Sequence, residues 1–170
     1  MKVAYTKLAV PAVALMALLA ALLTAPAASA EERSCRGTLG AITVDNLRVP
    51  QGATCVLNGT RVKGTIKVQR RATLQATNIR VVGNVQAENH KLVVVRGSRI
   101  GGSIQVVQGG GSTVTGNKVT ADIQYFQNRG SIVVSSNRVN GNLQCKENKP
   151  RPTGGGNRVG GNKEDQCRRL

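Results

Sequence analysis

The sequence contains no tryptophan, two tyrosines and one phenylalanine in 170 residues. Tyr5 lies in the leader described below, so the rest of the chain keeps only Tyr125 and Phe126. Stacking platforms for unpaired bases are nearly absent, which argues against specific nucleic-acid recognition. There is one histidine, His90, and no C-x-x-C spacing, so no metal or cofactor is expected. His90 reads as a surface histidine in a turn. Acids are scarce, eight against 24 lysines and arginines. They are Glu31, Glu32, Asp45, Glu88, Asp122, Glu147, Glu164 and Asp165. Only Asp122 falls on a regular strand position. No second acid stands at the matching place one turn away to make a catalytic carboxylate pair. The nucleophile elbow G-x-S-x-G and the glycine-rich calcium repeat are also missing. No sustained helical period occurs outside the leader. These absences point away from an enzyme, and a polysaccharide-acting β-helical enzyme is the third reading.

The chain opens with Lys2 and Lys7, an apolar run over Leu8–Leu23 and the small-residue sequence Ala28-Ser29-Ala30. This pattern predicts a secretory signal peptide over residues 1–30, cleaved after Ala30. The run is about 16 residues, short of the roughly 18–20 that a membrane span needs. What remains, residues 31–170, is one domain with no transmembrane segment. Loss of Lys2 and Lys7 lowers the net charge from +16 to +14. So basic a chain is attracted to polyanions of any kind.

A motif then recurs. Val62-Lys63-Gly64-Thr65-Ile66-Lys67 reappears as Val81-Val82-Gly83-Asn84-Val85-Gln86 and as Ile100-Gly101-Gly102-Ser103-Ile104-Gln105. It continues in Val119-Thr120-Ala121-Asp122-Ile123-Gln124 and Val139-Asn140-Gly141-Asn142-Leu143-Gln144, and degrades in Val159-Gly160-Gly161-Asn162-Lys163-Glu164. The anchors Ile66, Val85, Ile104, Ile123, Leu143 and Lys163 lie 19, 19, 19, 20 and 20 residues apart. A fixed period in this range marks a solenoid. Apolar positions alternate with polar ones around each anchor, the rhythm of strands with one buried face. A second strand per turn has inward positions at Cys55 and Leu57, Leu74 and Ala76, Val93 and Val95, Ser112 and Val114, Ile132 and Val134. The expected fold is all-β: a single-stranded parallel β-helix of six to seven coils of 19–20 residues, right-handed rather than left-handed. The small residue two before each anchor suggests close backbone approach. Ile42 is expected as the anchor of a longer first turn, Glu31 to Gly37 as a polar lead-in, and the stretch from Lys146 through Gly156 as an irregular loop.

Four cysteines in an exported chain imply two disulfides. Three pairings are possible. Cys35 and Cys55 lie near one end and Cys145 and Cys167 near the other, which favours Cys35–Cys55 and Cys145–Cys167.

The leader, the repeated Gly-Asn-Val-Gln or Gly-Asn-Leu-Gln turns, and the ending Gly141-Asn142-Leu143-Gln144-Cys145 through Gly161-Asn162-Lys163-Glu164-Asp165-Gln166-Cys167 carry a resemblance. The chain resembles small secreted proteins of high-GC Gram-positive bacteria with β-helix-like repeats and a paired-cysteine C-terminal end. That resemblance implies an extracellular or cell-wall compartment and brings no activity with it.

Two sets of aligned positions bear on function. Five residues before each anchor stand Arg61, Arg80, Arg99, Lys118, Arg138 and Arg158, which in a β-helix form a column of cations about 4.8 Å apart. An extended polyanion along it would release counterions, so an anionic cell-wall polymer or acidic glycan is the expected partner. The other set is Thr65, Asn84, Ser103, Asp122, Asn142 and Asn162, beside Lys67, Gln86, Gln105, Gln124, Gln144 and Glu164. These are expected to form structural amide ladders. A self-associating envelope or matrix protein is the alternative, and the oligomeric state is not readable from sequence.

Overall fold

One coil shows how the chain folds. Val85–Glu88, Leu92–Arg96 and Arg99–Ile100 are three short strands, and their inward side chains Val85, Ala87, Val93, Val95 and Ile100 are buried. Successive side chains in a strand point to opposite faces, so this alternation turns one face of every strand toward the axis. The computed structural model describes residues 31–170, and the expected leader lies outside them. Equivalent strands stack in parallel into three sheets. Sheet A has eight strands, from Glu32–Ser34 to Lys163–Asp165. Sheet B has seven, from Gly37–Leu39 to Thr153–Gly155, and sheet C has seven, from Thr43–Val44 to Arg158–Val159. The protein is a parallel β-helix of about seven turns, as its period requires.

The core is made of columns. Leu47, Ile66, Val85, Ile104, Ile123 and Leu143 stack in register with no exposed surface. Each such side chain contributes about 1.5–3 kcal/mol on burial. Polar columns line the corners. Between sheets B and C, Asn117, Asn137 and Asn157 are buried. The Asn137 side chain accepts the Asn117 backbone N–H at 3.0 Å and donates to the Val114 carbonyl at 2.8 Å. Between sheets A and B, Asn128 and Asn148 do the same. Backbone groups that the turns leave unpaired are thereby satisfied without water. Between sheets C and A the chain approaches itself closely. A Cβ at Gly83 would lie 2.7 Å from the Gly64 carbonyl oxygen, which explains the small residue at this place in each turn.

Both disulfides form as expected, Cys35–Cys55 and Cys145–Cys167. Each ties a terminal turn to its neighbour, and a closed loop of about 20 residues contributes roughly 3 kcal/mol.

Three expectations about the ends are corrected. Leu47, not Ile42, pairs with Ile66, and Ile42 is 40% exposed at a corner. The first full turn thus keeps the 19-residue step, with one residue fewer between Val44 and Leu47 than between Val62 and Ile66. Second, Glu32–Ser34 is no lead-in: it pairs with Asn46–Arg48 as the first strand of sheet A. Third, the supposed loop near Pro152 carries Thr153–Gly155, which pairs with Val133–Ser135 and completes sheet B. Backbone pairing continues at these places although the side-chain pattern lapses.

Candidate functional site

Sheet C is built from two-residue strands, and after the first, Thr43–Val44, each is a cation followed by a β-branched residue. The β-branched side chain faces the core, so the cation must face solvent. Arg61, Arg80, Arg99, Lys118, Arg138 and Arg158 are directly in register, with Thr43 beneath Arg61. All six are exposed. The sequence-derived column therefore exists as one continuous line on one face.

Its surroundings sharpen it. Among the described residues, ion pairs join Arg48 to Glu32 at 2.8 Å and Lys63 to Asp45 at 2.9 Å, and none involves a column cation. Neighbouring cations in water repel by roughly 1 kcal/mol at this spacing, less in salt. The cations also stand between two depressions. A groove of about 320 Å³ runs on one side of Arg80, Arg99 and Lys118, floored by Val82, Gly101 and Thr120. A second, of about 430 Å³, lies on the other side, floored by Asn78, Gly97, Ser98 and Gly116. The guanidinium groups form a ridge between two shallow channels. Val82 is 55% exposed within it. Sequence reasoning gave it no role, although an apolar residue at an outward position was its visible signal.

The second set of positions divides in two. Gln86 donates to Gln105 at 3.1 Å, Gln105 to Gln124 at 3.0 Å, Gln124 to Gln144 at 2.7 Å and Gln144 to the Glu164 carboxylate at 2.8 Å. This is the expected amide ladder. The residues one before each anchor instead accept backbone N–H groups from the next turn. Asn84 does so from Ser103 at 2.8 Å and Asp122 from Asn142 at 2.7 Å. Asp122 is thus a corner acceptor.

His90 is corrected. It is 3% exposed, not a surface residue, and its ring fills the space left by the missing side chain of Gly109. It occupies an inward corner column that also contains Asn128 and Asn148. Neither ring nitrogen has a well-formed hydrogen bond. Burial pushes its pKa down to about 4, with the Gly111 backbone opposing. Tyr125 is also wholly buried, and burial pushes its phenol well above the ordinary range. Among the described residues, no group of three or more His, Cys, Asp or Glu is placed to hold a metal, and no helix is long and apolar enough to cross a membrane. Comparison with protein-family profiles, with curated proteins and with solved structures gives no match.

Proposed function

We propose that this protein is an exported, non-enzymatic binding protein that holds an extended polyanion along the outer edge of sheet C. The observation that carries this reading is the in-register line of six exposed cations with no ion-pair partner among the described residues. A stack of like charges does not stabilise a fold, whereas a phosphate or carboxylate polymer would neutralise it and release counterions. Five of the six are arginine, whose planar fork meets both anions in bidentate fashion. The grooves on either flank give such a chain room to lie beside the ridge. An anionic cell-wall polymer such as a teichoic acid, or an acidic glycan, has the required length and charge.

The test is retention of disulfide-bonded protein on immobilised teichoic acid, polygalacturonate and duplex DNA across a salt series. One polymer should be retained preferentially at physiological salt, and Arg80→Ala/Arg99→Ala/Lys118→Ala together should release it. Unchanged retention by that variant would end the proposal.

One observation favours self-association as a second reading. The outward positions of sheet B, which include Thr54, Val56, Gln75, Val94, Thr113 and Val133, carry a single charge, Arg96. A neutral flat face on so basic a protein is where two copies meet with least repulsion. Dimers in high salt by light scattering would support lateral assembly, and a strict monomer would reject it.

A further inference from the structure

The outer face of sheet A offers a different kind of surface. A concavity of about 700 Å³ on it has Gln86 and Gln105 among its lining, with Lys67 and Arg70 toward one end and Glu88 and Val107 alongside. Across the next turns the same face continues, Gln105 stacking on Gln124 and Val107 on Phe126. Val107 and Phe126 point outward and are half-buried. Neither belongs to the core cluster nor to the partly buried residues packed against it. Phe126 is the chain's single phenylalanine. A second amide ladder, Gln108 to Gln127 to Glu147, lies on the far side of this apolar strip. The strip therefore runs between two rows of amides.

We propose that this face binds an extended, uncharged polysaccharide laid along the solenoid axis over Val107 and Phe126. Each glutamine in the rows spends one N–H on its neighbour and keeps a second N–H free, with acceptor capacity on its oxygen. Because the rows are already bonded to one another, their rotamers are ordered before a ligand arrives. They recur about every 4.8 Å, a step close to one sugar unit of an extended β-linked chain. The apolar C–H face of a sugar ring matches the Phe126 ring, and its hydroxyls match amides that both donate and accept. Charge separates this ligand from that of sheet C. Gln86, Gln105, Gln124 and Gln144 are neutral, and the carboxylate of Asp122 stands at the corner beside them. The charges around the strip are of mixed sign, with Lys67 and Arg70 at one end, Glu88 paired with Val107 and Lys146 paired with Phe126, so this face has no continuous line of one charge for a polyanion to follow.

The experiment is titration calorimetry of the disulfide-bonded protein with cellohexaose and with chitohexaose, in high salt to silence the basic column. One hexasaccharide should bind. Phe126→Ala should weaken it by about tenfold, while Arg80→Ala/Arg99→Ala/Lys118→Ala should leave it unchanged. Phe126→Trp should retain binding and, as the only tryptophan in the chain, change its fluorescence on titration. No heat with either sugar at millimolar concentration, or binding indifferent to Phe126→Ala in a variant of unchanged melting temperature, would overturn the proposal. Polyanion retention by sheet C is read separately at low salt, so either site can fail alone.

Discussion

On sheet A, Gln86, Gln105, Gln124 and Gln144 stand one above another and bond in sequence. On sheet C, Arg80, Arg99, Lys118 and Arg138 stand one above another in the same parallel register, and their side chains form no ion pair among the described residues. The backbone geometry is common to both. The difference lies in the side chain: an amide carries donor and acceptor together, whereas a guanidinium carries donors alone. Stacking identical residues therefore satisfies the first sheet and leaves the second in need of an acceptor from outside. A solenoid amplifies whichever property its repeated residue has.

The comparison breaks most severely in the buried version of the ladder. Asn137→Leu would strip partners from the Asn117 N–H and the Val114 carbonyl, both enclosed. It should cost about 3–5 kcal/mol, measured by urea unfolding. Next comes His90, whose corner column holds amides in later turns. Its folded pKa of about 4 lies below the ordinary histidine value of 6.5, so the unfolded state binds the extra proton between them. Stability should rise with pH across that window, and acidification from pH 7 to 4 should remove on the order of 3 kcal/mol. His90→Asn should flatten that part of the curve. The column itself gives a smaller and opposite response. Arg80→Ala/Arg99→Ala/Lys118→Ala should reduce the salt slope of polyanion binding by about two to three units, while leaving the unfolding midpoint unchanged or slightly raised. Smallest of all, Gln124→Leu on the exposed ladder should cost about 1 kcal/mol or less, which a thermal melt can resolve against Asn137→Leu.

The fold and the basic column were legible because both depend on period alone. Once Ile66, Val85 and Ile104 are aligned, every residue between them has a fixed place, and Arg80 and Arg99 must share a face. The ends were less legible. Asn46-Leu47-Arg48-Val49-Pro50 reads as a connection because proline and polar residues obscure the Leu47 anchor. Thr153-Gly154-Gly155 offers sheet B no apolar side chain, yet its backbone still pairs. His90 was misplaced because turn positions in this coil include an inward one, and a ring can enter it only where the next turn supplies Gly109. Burial at a corner depends on the residue one turn away, which local reading does not consult. Val107 and Phe126 were passed over for a related reason. An apolar residue at the end of a strand invites assignment to the core, and its place two residues after the outward Gln105 or Gln124 turns it to solvent instead.

Three rows of amide side chains run the same way, each donating toward the C-terminal end, and each finishes on a residue that sends no hydrogen bond onward. Gln144 gives its proton to Glu164, and Gln127 gives its proton to Glu147. Asn148 gives to Gln166, whose own amide folds back onto the Asn148 carbonyl. A carboxylate accepts but has nothing to pass to a further layer. At this end the three rows therefore present acceptors in place of a further amide donor, so a layer stacked there would have to supply the donors that every interior layer receives from the turn before it.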